Sequence, residues 1–236
     1  FDYIFTQDEK SKDLFKSIGH NNVFNSGDTR FDRVSLSKNL NEDVDYIKEF
    51  LSKKDCLIAG STWGKDHEIL TNYINHSKSD LKYIIAPHEI NKEEVNNLKS
   101  FINKKTILFS NLNNENIKNA SVIIVDNIGT LSKLYKYASL AYIGGGFNGE
   151  GKLHNTLEAA VFGLPIIIGK YYSKFPEAVN MIKSGGMFSI NNAESLKNKI
   201  DELIRDKEKL QKTGALNSSF INSKIGATQS ILANLK

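Results

Sequence analysis

The chain has 236 residues with 31 Lys+Arg against 27 Asp+Glu, a net charge of +4, and it is long enough for one large or two small domains with a real core. A composition of 40% hydrophobic and 25% charged residues excludes a disordered chain; no apolar run approaches the roughly 18–20 residues that span a bilayer, and no signal-peptide pattern opens the sequence. Only Arg30, Arg33 and Arg205 are arginines, so the positive charge is dispersed lysine, which argues against a nucleic-acid surface, while the single Cys56 excludes an intramolecular disulfide framework and a multi-cysteine zinc site and points to the cytosol.

An apolar run at 3–5 opens the chain as if in the middle of a strand, beginning with Phe1 rather than Met, and the expectation is a piece of something longer. A helical pattern over 7–18 follows. Residues 27–42 (GDTRFDRVSLSKNLNE) have no sustained period and read as a break. Beyond it, apolar runs of strand length at 56–59, 81–86, 106–109, 122–125, 140–143 and 165–168 alternate with helical patterns at about 41–53, 65–76, 91–102, 129–138, 155–162 and 174–184. From about residue 193 the strands stop, and charged helices at 193–204, 206–213 and 217–235 close the chain. Strand–helix alternation with β-branched runs predicts an α/β fold, a Rossmann-like doubly wound parallel sheet with helices on both faces. The expected organisation is 1–35 as the end of one unit plus a linker, 36–220 as the doubly wound domain, and 221–236 as a terminal helix.

The densest unusual stretch is AYIGGGFNGEGKLHNTLE (141–158), which follows a strand and runs into a helix. Glycines let backbone N–H groups approach an anion, and a helix N-terminus adds about half a positive charge, so a phosphate site is expected around Gly145 and Gly146; the alternative is a flexible turn. Gly144-x-Gly146-x-x-Gly149 matches a dinucleotide fingerprint, but the acid expected about 20 residues on is missing. Gly146-x-x-x-x-Gly151-Lys152 resembles a Walker A loop, but Leu153 stands where Ser or Thr would hold magnesium. Neither applies.

Asn155 and Glu158 open the following helix. They suit a capping-box-like arrangement, or Glu158 suits a ribose diol, since a carboxylate accepts two hydrogen bonds; spacing leaves both open. Gly60-Ser61-Thr62-Trp63, Ala86-Pro87-His88-Glu89 and Asp126-Asn127-Ile128-Gly129 each follow a predicted strand. Singly they read as a helix cap, a polar loop and a turn. Together with the glycine-rich loop, on one rim of the sheet, they outline a nucleotide-sized cleft. Cys56 reads as core, and His20, His67 and His76 as surface residues without metal-ligand spacing.

These motifs, in order, resemble the bacterial 3-deoxy-D-manno-octulosonic acid (Kdo) transferases of lipopolysaccharide assembly: Gly27-Asp-Thr-Arg-Phe-Asp32, Gly60-Ser-Thr-Trp63, Ala86-Pro-His-Glu89, Gly144-Gly-Gly146, His154-Asn-Thr-Leu-Glu-Ala-Ala160, Gly163-Leu-Pro165 with Gly169, and Phe175-Pro-Glu-Ala178. The resemblance implies the C-terminal, donor-binding half of a two-domain GT-B glycosyltransferase that moves Kdo from CMP-Kdo to a lipid A precursor at the cytoplasmic face of the bacterial inner membrane. It places Pro87 and His88 beside the cytosine with Ile128 and Gly129 nearby, Gly145 and Gly146 near the phosphate, and Asn155 and Glu158 at the phosphate–ribose region, with Ser61 on the same rim. His88 stands where the family usually has arginine, and Thr156 and Ala159 replace two prolines of the usual Asn-Pro-Leu-Glu-Pro.

The resemblance further implies that the acceptor site, the membrane-binding surface and the general base belong to an N-terminal half missing from this chain. No catalytic residue, metal or cofactor is then expected here, CMP-Kdo being a substrate. The terminal helix would pack toward that half, and this piece would be soluble and inactive alone. The rival readings are a GT-B transferase or epimerase using a UDP-sugar, a non-catalytic nucleotide-binding module, and, more distantly, a dinucleotide oxidoreductase.

Overall fold

Local capping and short-range pairing organise the start of the chain. Strand β1 (Ile4–Thr6) and strand β2 (Val23–Asn25) pair in parallel, Ile4 opposite Val23, with helix α1 (Glu9–Ser17) between them in sequence. The Asp8 carboxylate accepts from the Ser11 N–H at 2.7 Å and so starts α1. The stretch 27–42, expected to be irregular, instead contains helix α2 (Thr29–Asn39). Its apolar signal is short, only Phe31 and Val34 being buried, so a single turn of spacing carries the helix and no longer period is visible.

The computed structural model describes residues 1–39 and 42–235. Residue 41, where the second predicted helix was to begin, lies outside them, and the helix there is α3 (Ile47–Leu51). Next come β3 (Cys56–Thr62), α4 (Gly64–His76), β4 (Lys82–Pro87), α5 (Lys92–Ser100), β5 (Thr106–Leu108), β6 (Val122–Ile124), α6 (Leu131–Leu134), β7 (Leu140–Ile143), α7 (Leu157–Ala160), β8 (Ile166–Ile168), α8 (Pro176–Ser184), β9 (Met187–Ser189), α9 (Ala193–Arg205), α10 (Lys207–Asn222) and α11 (Ala227–Asn234).

Strands β3 to β9 form one parallel sheet in the order β5-β6-β4-β3-β7-β8-β9, the Rossmann-like α/β architecture expected from the alternation. All six strand-length runs from residue 56 on are strands of it. Central strands are apolar on both faces: Leu57, Ile58, Ile84, Ile123, Tyr142 and Ile167 are all buried. At about 1.5–3 kcal/mol for each large apolar side chain, such strands dominate the stability of the unit. Two strands went unpredicted, β2 and β9, because each buries only its first residue.

The chain runs from β3 outward through β4 to the β5 edge, then returns to lay β7 on the other side of β3. That reversal is a topological switch point, and open sheets of this kind take their ligands beyond the carboxyl ends of the strands there, here β3 and β7.

The last helices also differ from expectation. The break expected at 213–217 lies inside α10, and the chain turns at 223–226 instead. Gly214 lies within this helix. It sits in the helix because a Cβ there would strike the Gly163 carbonyl and come within 3.2 Å of the Pro165 side chain, so it serves close packing rather than ending the helix. Nearby, the buried Asn217 amide donates to the carbonyls of Leu164 (2.8 Å) and Gly186 (2.7 Å), joining α10 to the starts of β8 and β9.

The chain divides into two compact units, one of 42–218 and one of 1–41 with 219–236. Within the smaller unit, α2 packs on α11, the Phe31 and Phe220 rings meet edge-on at 5.7 Å, and Asp32 accepts from the N–H groups of Gly226 and Thr228, each at 2.7 Å. Although partial burial opposes ionisation, these two amides hold the Asp32 carboxyl below its usual range.

Candidate functional site

The site grows from three tight backbone approaches at the switch point. A Cβ on Gly144 would lie 2.6 Å from Thr62 Cα, and one on Gly146 would lie 2.7 Å from the Gly169 nitrogen. A Cβ on Gly145, whose φ is +91°, would run into the Lys152 carbonyl and come within 3.1 Å of His154. The triple glycine therefore lets the ends of β3, β7 and β8 and the loop before α7 close on one another. The open glycines of the stretch are Gly149 and Gly151, at φ +101° and +82° with nothing near them.

Asp66 holds this arrangement from beneath. Fully buried in the first turn of α4, it accepts from the Trp63 N–H (2.9 Å), the Gly145 N–H (2.9 Å) and the Tyr142 hydroxyl (2.5 Å). Burial and the adjacent carboxylate keep the Tyr142 phenol protonated well above its ordinary value, so it is the donor. The Gly145 N–H is thus directed at Asp66. Sequence reading passed over Asp66; the available signal was an acid three residues after the residue that precedes the helix, a position suited to bonding that residue's N–H.

Above Asp66 stand three rings. Trp63 stacks on His88 at 4.4 Å and 18°, and His88 meets His154 at 4.3 Å and 33°. The Trp63 indole N–H donates to His154 Nε2 at 2.7 Å, which places the proton of the neutral imidazole on Nδ1. Burial first, and the neighbouring His88 second, push the His154 imidazole down to about 4. The His88 side chain is exposed, and its backbone N–H donates to the Thr62 carbonyl at 2.9 Å.

Thr62 is fixed in turn by His67, whose Nε2 lies 2.8 Å from its hydroxyl. The expectation that His67 lies on the surface is corrected here: it is only 6% exposed, because the first turn of α4 points it inward, with Nδ1 3.2 Å from Glu94. Burial lowers its basicity, so the neutral ring bridges the Thr62 hydroxyl and the Glu94 carboxylate.

Ser61 occupies a bulge between Gly60 and Thr62 in the pairing of β3 with β4 and has φ +52°, a conformation that costs a non-glycine residue about 1 kcal/mol or more. Pro87 is buried at the end of β4 opposite Thr62. Asn155 Oδ1 accepts from the Leu157 N–H at 3.1 Å, and Asn155 Nδ2 donates to Glu158 Oε1 at 3.0 Å. The pair is therefore not a reciprocal capping box. Half-buried Glu158 bonds a side chain rather than a backbone N–H, and its Oε2 takes no hydrogen bond among the described residues. Its charge helps to raise the buried Tyr135 phenol, after burial itself, and that phenol packs where a Cβ on Gly60 would lie.

Ile128 and Gly129 stand on the loop after β6, two strands from β3. Ile128 is 92% exposed, and Gly129 has φ +88° in open space. The structure thus joins Ser61, Pro87, His88, Gly145 and Gly146 in one packed rim, while Asn155 and Glu158 lead into α7 and Ile128 and Gly129 lie farther along the same sheet edge. No cluster of three or more potential metal ligands occurs among the described residues, and none of their helices is long and apolar enough to cross a membrane.

Residues 65–217 match the family model for glycosyl transferases group 1. The chain is 29% identical over 216 residues to a 3-deoxy-D-manno-octulosonic acid transferase of Aquifex aeolicus, covering 89% of this chain and 56% of that protein. It is 26% identical over 225 residues to the Haemophilus influenzae protein of the same name, covering 87% and 52%. The chain spans about half the length of these curated relatives. Among solved structures, the C-terminal CMP-Kdo binding domain of WaaA from Acinetobacter baumannii shares the fold with a TM-score of 0.63 at 19% identity, covering 81% of this chain and 98% of that one.

Proposed function

This chain belongs to the group 1 glycosyl transferases, and we propose that it is the donor-binding half of the member that transfers Kdo from CMP-Kdo to a lipid A precursor in lipopolysaccharide assembly. The observation that carries the reading is the Asn155–Glu158 pair at the start of α7, directly after the glycine-rich loop. Asn155 orients the Glu158 carboxylate through one oxygen, and the other takes no bond within the described protein. A carboxylate so held suits a ribose diol. The likeness to two proteins named for Kdo transfer, and to a domain named for CMP-Kdo binding, supports this donor.

In this reading Pro87 and His88 border the cytosine, with Ile128 and Gly129 beyond them. Ser61, Gly145 and Gly146 shape the wall beside the phosphate, and Asn155 with Glu158 takes the ribose. Because the Gly145 N–H faces Asp66, Gly145 acts there through the close approach it permits rather than as a phosphate donor. The chain's own residues bind and orient the CMP portion and hold the departing nucleotide in a fixed electrostatic setting. The general base, the lipid A precursor site and the contact with the cytoplasmic face of the inner membrane belong to the half of the relatives that this chain does not span. The reading includes no metal.

Calorimetric titration of the chain with CMP, UMP, UDP and NAD tests it. CMP is expected to bind selectively, to lose affinity at least tenfold in Glu158→Ala with the fold intact, and to be unaffected by EDTA. Preference for a uridine nucleotide would overturn the donor assignment. Kdo transfer by this chain alone would overturn the division of labour.

A further inference from the structure

We propose that Asp66 is the positioning residue of the donor crevice, a role that rests on the donor-binding reading above. One carboxylate, 0% exposed, receives donors from three elements: the backbone N–H of Trp63 before α4, the backbone N–H of Gly145 after β7, and the Tyr142 hydroxyl on β7 itself. The two backbone bonds share Oδ2, so a single atom sets the spacing between the residue that carries the ring stack and the glycine loop that faces it. Charge-assisted bonds of this kind are about twice as strong as neutral ones, and a buried N–H that loses its acceptor has no water to replace it.

The consequences converge on the rim. Trp63 Nε1 bonds His154, and His154 reaches both His88 and the Cβ-less face of Gly145. Release of Oδ2 therefore frees Trp63 and Gly145 together, and with them the alignment of His88 and His154. Neighbouring His67 acts in the same sense through Thr62, whose carbonyl receives the His88 backbone N–H. The first turn of α4 thus places side chains that a donor nucleotide would meet, without meeting the nucleotide itself. A site held within about half an ångström requires such support.

The chemistry of the substitutions separates positioning from bulk stability. Asp66→Ala removes both acceptors. Asp66→Asn can turn its single carbonyl oxygen toward the two backbone N–H groups and donate its amide to the Tyr142 oxygen, restoring the geometry with weaker, neutral bonds. Tyr142→Phe deletes a donor to Oδ1 but leaves both Oδ2 bonds. Trp63 is the only tryptophan in the chain, so its emission reports on the ring stack directly.

The test measures thermal unfolding, acrylamide quenching of Trp63 emission, and CMP affinity by calorimetry on the full 236-residue chain and these three variants. Asp66→Ala is expected to raise the quenching constant at least twofold and weaken CMP at least tenfold, with Asp66→Asn between it and the wild type. Tyr142→Phe should lower the melting temperature yet keep quenching and CMP affinity within about twofold. A folded Asp66→Ala with wild-type quenching and CMP affinity overturns the proposal. So does Tyr142→Phe weakening CMP as much as Asp66→Ala at an equal loss of melting temperature.

If Asp66→Ala does not fold, Asp66→Asn and amide hydrogen exchange on the wild type decide. The Trp63 and Gly145 amides should then exchange as slowly as the amides of β3, and rapid exchange at either overturns the proposal. If the wild type binds no CMP, the donor reading fails while the quenching and exchange measurements still judge Asp66.

Discussion

Acidification offers a quantitative probe of the ring stack. His154 accepts the Trp63 indole N–H on Nε2, so protonating the ring replaces an acceptor with a donor pointed at a donor. Burial and His88 lower the imidazole from 6.5 to about 4 in the folded chain. As the pH falls below about 6.5 the unfolded chain therefore binds a proton that the folded chain refuses. Stability should decline progressively down to about pH 4 and level off below it. Taken at face value that displacement is worth about 3 kcal/mol; for a half-buried ring, solvent screening reduces it to about 1–2 kcal/mol. Urea unfolding followed by far-ultraviolet circular dichroism at pH 7, 5.5 and 4, for the wild type and His154→Phe, isolates the contribution. Phenylalanine keeps a ring in the stack but cannot titrate. The buried His67 loses basicity in the same direction, and it is common to both proteins. The wild type's advantage over the variant should shrink by about 1–2 kcal/mol between pH 7 and pH 4. A constant difference across that range would refute the reasoning.

Three substitutions test the packing around the site. Gly146→Ala puts a methyl 2.7 Å from the Gly169 nitrogen, with backbone on both sides, and should cost about 2–3 kcal/mol in urea unfolding; a neutral result would mean the two loops separate easily. Asn217→Leu strands the Leu164 carbonyl and leaves that of Gly186 only the Ile166 N–H, and should destabilise by about 2 kcal/mol, read as an earlier thermal transition, whereas an unchanged transition would show that water reaches the Leu164 carbonyl. Ser61→Gly relieves a φ of +52° and should stabilise the fold by about 1 kcal/mol while leaving CMP affinity unchanged or weaker; a lower melting point would show that the hydroxyl, not the backbone, governs that position.

Much of the sheet was legible before any coordinates. The runs at 56–59, 81–86, 122–125 and 140–143 are apolar on successive residues, Lys82 excepted, because their strands are covered on both faces, and that demand is local enough to show in one chain segment at a time. The helix α2 and the strands β2 and β9 were not, since each relies on one or two buried residues whose burial depends on partners far away in sequence. Gly214 shows the same limit: a glycine in a helical pattern signals a break unless one knows that Gly163 lies against it.

For the site, sequence alone determined the set of loops at strand ends, the glycine-rich stretch and the Asn155–Glu158 spacing, because each is a contiguous pattern with its own chemical logic. Only the tertiary structure decided what those residues do for one another. It turned the triple glycine into a packing device, moved His67 from the surface to the interior, gathered Trp63, His88 and His154 into one stack, and put Asp66 beneath them as their common acceptor. The reason is physical. A motif records the backbone's local needs, whereas the hydrogen bonds between Asp66 and Gly145, and between Trp63 and His154, join residues 79 and 91 positions apart, which come into reach only when β7 is laid beside β3.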